Sequence, residues 1–244
     1  MARTQEAGVA AYGPPGWLTD LVERIPSIPG ERFSRFLPPP EGGRRQSAVL
    51  VLFLPGASGA AGTGGAPHPQ NARADAGANS HLDARVVITE RAHDMRSHAG
   101  QPAFPGGGTE EGDVDAAATA LREAWEEIDL DPAGVDVLGP LPTLHIPVSG
   151  YDVTPVLGWW REPAPHQLWA KDPREVERVV LPEVSWLVDP AHRFQVRHPS
   201  GFIGPAWDVD GLLVWGFTAG VLDRVLELAG LTRPWDKGRV REIS

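Results

Sequence analysis

The sequence predicts an α/β (α+β) fold built around one layered core. Strand-like and helix-like segments are interleaved along the chain, no segment repeats, and 244 residues suit one core with attached arms. Hydrophobic residues make up 41% of the chain, and nine tryptophans add large apolar surfaces, enough to fill such a core.

The elements follow in order. Trp17, Leu18, Leu21, Val22 and Ile25 recur at helical spacing and predict a short amphipathic helix that Pro26 ends. A proline-rich arm runs on through Pro38, Pro39 and Pro40, so residues 1–45 read as an N-terminal helix and arm. Ser47–Leu54 is a run of β-favouring apolar residues and predicts a buried strand. Residues 56–80 are rich in Gly, Ala, Asn and Pro and read as a flexible insertion. Arg85–Thr89 resumes as a strand, so the insertion joins two strands expected to pair. Asp115–Ile128 is the clearest helix, with Asp113 or Asp115 to cap it and Leu121, Trp125 and Ile128 as its expected apolar stripe. Leu144–Val148 and Asp152–Trp160 predict strands around the turn Ser149–Gly150, and Val179–Val188 reads as strand-like but broken at Pro182. Thr218–Leu228 predicts a terminal helix with Leu222, Val225 and Leu226 inward and Gly230 as its stop. The main domain is expected over 46–232, followed by a tail over 233–244.

Composition excludes several functions. The net charge is -10 and no basic block occurs, which disfavours general nucleic-acid binding. Without cysteine there is no disulfide, thiolate metal site or cysteine nucleophile. The N-terminus shows no signal-like apolar stretch, and the run Ala48–Leu54 is too short to span a bilayer. The expectation is a cytoplasmic protein with no membrane partner, a monomer or a homodimer. His93 and His98 are five residues apart, which does not suit one helix face, and no Gly-x-Ser-x-Gly elbow occurs.

The chemistry concentrates in one stretch. Phe104-Pro105-Gly106-Gly107-Gly108-Thr109-Glu110-Glu111 leads into the helix that carries Arg122, Glu123, Glu126 and Glu127. At about 100° per residue, Glu123, Glu126 and Glu127 fall within an arc of roughly 100°. A crowded carboxylate patch in a helix's C-terminal half repels itself and tends to hold protons. A hard cation with oxygen ligands, such as Mg²⁺ or Mn²⁺, would relieve that repulsion. Taken alone, a glutamate-rich helix face is an ordinary solvated face, and three glycines after a proline are an ordinary turn.

Their order and spacing resemble the Nudix box, Gly-x5-Glu-x7-Arg-Glu-U-x-Glu-Glu-x-Gly-U with U apolar. Aligned on Arg122, the chain supplies Gly108, Arg122, Glu123, Ala124, Glu126, Glu127 and Leu130. Val114 stands in place of the first glutamate, flanked by Asp113 and Asp115, and Asp129 in place of the second glycine. The segments Val87–Arg91 and Met95–Gly107 resemble the motif that precedes the box in coenzyme A pyrophosphatases. Leu121–Ala124, Ser149–Val156 and Trp215–Ala219 resemble the same branch.

The resemblance implies a Nudix fold, a mixed β-sheet sandwiched between helices. It implies a hydrolase that cleaves coenzyme A or acyl-coenzyme A to 3′,5′-ADP and (acyl-)phosphopantetheine, with a small-molecule nucleotide as partner and Mg²⁺ or Mn²⁺ as cofactor. Glu123, Glu126 and Glu127 are the implied metal ligands and, with Arg122, the catalytic set; one of them or a loop carboxylate would take a proton from water. Arg122 either orients a catalytic glutamate through a salt bridge or touches substrate. Arg91 and Arg96 are candidates to clamp the 3′-phosphate or the diphosphate, with ordinary solvation as the alternative. His98 is a candidate substrate contact or a histidine bonded within its loop, and backbone carbonyls near Gly107 and Gly108 are candidates to complete the site. Trp159 and Trp160 read as core packing. Two other functions stay open: hydrolysis of NADH, ADP-ribose or another nucleotide diphosphate, and a Nudix-like binding module without catalysis.

Overall fold

The computed structural model describes residues 13–43, 45–56, 82–95, 98–161, 163 and 168–243. The chain enters through α1 (Gly16–Arg24), whose Trp17, Leu18 and Leu21 are buried, and Ile25–Ser27 then forms a short 3-10 turn at Pro26.

β1 (Arg45–Pro55) is the central strand, with Leu50 to Leu54 wholly buried. A strand covered on both faces has no polar side, hence the unbroken apolar run. Ala48, Leu50, Leu52 and Leu54 pack with Ala120, Ala124 and Ile128 of α2 (Ala116–Ile128). Val51 and Phe53 share a second cluster with α1 and with Leu222, Val225 and Leu226 of α4 (Gly216–Leu228). Trp17 meets Phe53 edge-on at 5.3 Å between ring centroids. Helices thus flank both faces of the sheet.

β1 runs antiparallel to β2 (Ala84–Val86) and β5 (Gly106–Gly108) and parallel to β8 (Tyr151–Trp160). β8 in turn pairs antiparallel with β6 (Val135–Pro140) and β7 (Leu144–Ile146), completing a mixed six-stranded sheet. Its register places Arg45 beside Tyr151, Gln46 beside Asp152 and Ser47 beside Gly108. A second sheet sets β3 (Ile88–Arg91) between β4 (Pro102–Ala103) and β9 (Val176–Val180). A third has the order β12-β11-β10-β13, formed by β10 (Phe194–Arg197), β11 (Ile203–Val209), β12 (Leu212–Val214) and β13 (Val240–Glu242). β13 belongs to the segment expected as a tail and pairs parallel with β10. Among the described residues no helix is long and apolar enough to cross a membrane.

Three local expectations change. The strand expected over Arg85–Thr89 divides at Val87, whose N–H bonds to Leu52, so that β2 joins one sheet and β3 another. Val179–Val188 is strand only to Val180; past Pro182 it becomes α3 (Val184–Leu187), a single helical turn. The inward face of α2 runs through Ala120, Ala124, Glu127 and Ile128, while Trp125 is 49% exposed and Leu121 partly so. Alanines face inward because α2 lies close to the sheet and the glycine strand, where bulky side chains do not fit. Of the expected insertion, residues 57–80 lie outside the described residues; its flanks Pro55 and Ala84 are register partners, as expected.

Candidate active site

The glycine strand β5 is the floor of the site. A Cβ on Gly106 would sit 2.3 Å from the Ala48 carbonyl, and Gly106 has φ +156°, so a side chain there is excluded. A Cβ on Gly107 would lie 2.4 Å from Glu123 Oε1, so the Glu123 carboxylate rests directly on the bare Gly107 backbone. Gly106 N–H donates to Glu127 Oε2 at 3.1 Å. Glycine is required because the neighbouring strand at Gly106 and the Glu123 carboxylate at Gly107 occupy the space a side chain would take.

α2 delivers those carboxylates. Asp115 caps its start, its Oδ1 accepting from Ala118 N–H at 2.8 Å. Asp129 ends it in the left-handed conformation, φ 59° and ψ 28°, in the role of the box's second glycine. The other departure, Val114, is 90% exposed. One residue earlier, Asp113 grips Arg122 twice, at 3.2 Å to Nε and 3.0 Å to Nη2. Arg122 also donates to the Gly108 carbonyl at 2.9 Å and reaches Glu123 at 3.1 Å and Glu126 at 3.3 Å. These pairs hold the Asp113 carboxyl far below, and the Arg122 guanidinium well above, their ordinary ranges. Arg122 thus joins the loop to Glu123 and Glu126.

The three glutamates differ in burial. Glu127 is 4% exposed, and burial pushes its carboxyl up to about 8, against the Gly106 N–H and the charge of Arg91. Glu123 is likewise raised by burial, opposed by Arg122. Glu126 stands half-exposed at the rim. Among the described residues no three acidic or histidine groups converge on one ready-made cation position. The donor set nevertheless suits a hard cation: all-oxygen ligands, two of them carboxylates whose charge is disfavoured where they stand.

Arg91, at the end of β3, has its charge close enough to act on Glu127, and its buried Nε has no hydrogen-bond partner among the described residues. Arg96 lies outside the described residues. His98, at φ 58°, is exposed and bonds Gln101 Oε1 through Nδ1 at 2.8 Å, within its own loop. Trp159 and Trp160 are buried in the sheet. Thr218 of the Trp215–Ala219 segment donates to the Pro102 carbonyl at 2.9 Å, tying α4 to the loop that leads into the glycine strand. The sequence missed Glu175, which precedes β9 and raises both Glu123 and Glu127 by its charge. No motif surrounds it; it arrives through the pairing of β9 with β3. Beside Glu123 and Gly108 opens a cavity of about 380 Å³, also lined by Arg45 and Tyr151.

The NUDIX domain family model matches residues 73–199 of this chain. The uncharacterized Nudix hydrolase NudL of Escherichia coli (strain K12) is 36% identical over 139 residues, 56% of this chain and 71% of that protein. NudL of Shigella flexneri is 34% identical over 149 residues, 60% of this chain and 76% of that protein. Among solved structures, the Nudix hydrolase RenU of M. smegmatis covers 83% of this chain and 98% of its own, at 17% identity and a TM-score of 0.42. Since the family model spans half of its length and NudL matches it over most of NudL's own, the chain belongs to the Nudix hydrolase family.

Proposed function

We propose that this hydrolase cleaves the diphosphate of coenzyme A or acyl-coenzyme A, giving 3′,5′-ADP and (acyl-)phosphopantetheine, with Mg²⁺ or Mn²⁺ held by Glu123, Glu126 and Glu127. The observation that carries the reading is Arg91. It is a cation from the motif before the box, it lies near Glu127, and its Nε is buried without a partner among the described residues. A guanidinium so placed suits the phosphate oxygens of a diphosphate held against α2.

When bound, the metal supplies charge neutralisation for the diphosphate and acidifies the attacking water. Arg122, anchored by Asp113 and the Gly108 carbonyl, keeps Glu123 and Glu126 aimed at the site. Glu175 is the loop carboxylate nearest in effect to Glu123 and Glu127, and we assign it the proton from water. Arg91 and Arg96 clamp the phosphates.

Product analysis with coenzyme A, NADH and ADP-ribose, each with Mg²⁺ or Mn²⁺, tests this. Coenzyme A should yield 3′,5′-ADP, and Glu127→Gln should abolish that yield. Arg91→Gln should lower turnover of coenzyme A and of ADP-ribose alike, because both present a diphosphate to it. Cleavage of NADH or ADP-ribose alone would move the substrate and keep the chemistry, and a loss on coenzyme A only would move Arg91 from the diphosphate to the 3′-phosphate.

A further inference from the structure

The parallel pairing of β1 with β8 sets Arg45 beside Tyr151 at the strand starts. Arg45 Nη1 donates to the Tyr151 hydroxyl at 2.9 Å, and the guanidinium lies 5.7 Å from the Tyr151 ring centroid. With Gln46, Gly108, Thr109, Glu110 and Glu123 they line the cavity of about 380 Å³. The cavity therefore opens directly onto the candidate metal centre. Its size suits part of a nucleotide.

The strand starts are held firmly. Asp152, buried beneath them, accepts from Gly43 N–H at 2.5 Å, from Gln46 Nε2 at 3.2 Å and from His145 Nδ1 at 2.8 Å. A Cβ on Gly43 would collide with that carboxylate, so the chain is pinned on both sides of Arg45. The carboxylates on the cavity wall face elsewhere: Glu110 lies 3.9 Å from Arg122 and Glu123 lies 3.1 Å from it. Among the described residues Arg45 bonds instead to the Tyr151 hydroxyl, which leaves its charge for a ligand.

The two halves of the proposed substrate differ in what they offer such a wall. Beyond its share of the diphosphate, the phosphopantetheine half presents neutral amides, a hydroxyl and a thiol. The nucleotide half presents a phosphate monoester on ribose, which matches a guanidinium fork with a hydroxyl and an amide beside it. We propose that this cavity takes the phosphorylated ribose of the nucleotide half, with Arg45 binding the phosphate monoester and Tyr151 positioning the guanidinium. The ligand identity rests on the coenzyme A reading above.

The test is calorimetric titration of the Mn²⁺-loaded protein with 3′,5′-ADP and with 5′-AMP, neither of which contains a bond the enzyme would cleave. Wild type should bind 3′,5′-ADP more tightly than 5′-AMP. Arg45→Gln should weaken 3′,5′-ADP about 10-fold or more while shifting 5′-AMP less than about 2-fold, and Arg45→Lys should recover part of the difference. Tyr151→Phe should weaken 3′,5′-ADP about 3-fold, because the hydroxyl is lost and the ring kept. Arg45 is exposed, so its variants should melt like wild type. Equal weakening of both ligands in Arg45→Gln, no weakening, or no preference in wild type would overturn the proposal. Turnover of coenzyme A is read separately. An active enzyme whose preference survives Arg45→Gln loses only the clamp, whereas an inactive protein that prefers 3′,5′-ADP through Arg45 loses only the proposed reaction.

Discussion

Glu127 is a carboxylate placed where ionisation is costly. Its folded value is raised to about 8 from an ordinary 4.5, so it is protonated in the folded, metal-free protein at pH 6. The sign follows from linkage: the unfolded chain ionises at lower pH, so stability falls as pH rises from about 4.5 to about 8. Glu127→Gln removes that slope. In chelator-treated protein it should leave stability at pH 5 nearly unchanged and raise it at pH 9 by a few kcal/mol, on the order the shift implies. Denaturant titrations at the two pH values check this, and a Glu127→Gln protein that still weakens toward pH 9 would assign the slope elsewhere. The grip of Asp113 on Arg122, next to the exposed Val114, is a second matter at this scale. Asp113→Asn halves the bidentate grip on Arg122 and should lower kcat about 10-fold or more, with KM changing less. Val114→Ala, at an exposed position, should change stability by less than about 0.5 kcal/mol and leave kcat alone. Steady-state kinetics on the two variants decide whether the carboxylate has moved by one residue.

At the scale of elements, the glycine strand and α2 form one device, and its glycines fail differently when substituted. Gly106→Ala sets a methyl against the Ala48 carbonyl, a backbone atom that cannot turn away, at a φ that favours glycine. Gly107→Ala meets only the Glu123 carboxylate, the far end of a side chain that can rotate. Gly106→Ala should therefore lower the melting temperature markedly. Gly107→Ala should keep the fold and lose most activity, because Glu123 is displaced from the floor. Thermal melts beside activity assays separate the two, and equal melting temperatures would refute the distinction. The rotation of α2 belongs here as well. Leu121 and Trp125 looked like an inward stripe because size and apolarity usually mark the buried face. A glycine-floored site reverses that preference: small alanines pack under the helix, Glu127 is carried inward with them, and Trp125 stays at the surface with Lys171 3.7 Å from its ring centroid.

Across the whole molecule, the C-terminal segment is bound into the fold by a buried cation. Arg193 is 1% exposed, pairs with Asp223 of α4, and lies against Trp207 at 5.2 Å and Trp235 at 4.7 Å. Among the described residues its Nε and Nη1 have no hydrogen-bond partner, so Asp223, the more distant Glu227 charge and the two rings balance its charge. Asp223→Ala strands a buried guanidinium and should cost about 3–5 kcal/mol, read by chemical denaturation. A loss under about 1 kcal/mol would show that water reaches Arg193.

Several elements and the chemistry-bearing helix can be read directly from neighbouring residues. Local periodicity, caps and breakers are written in neighbouring residues, so α1, β1, α4 and the Arg122–Glu127 stretch are legible. The ordered motifs around the box were enough to point to the Nudix hydrolase family. Tertiary structure alone decided which side chains meet. The β3–β9 pairing brings Glu175 toward Glu123 and Glu127, and the parallel β1–β8 register places Arg45 on Tyr151. Burial then sorts three similar glutamates into one raised to about 8, one half-sheltered by Arg122 and one at the rim. The physical reason is range: helix and strand signals act over a few residues, whereas desolvation and charge proximity depend on segments far apart in the chain.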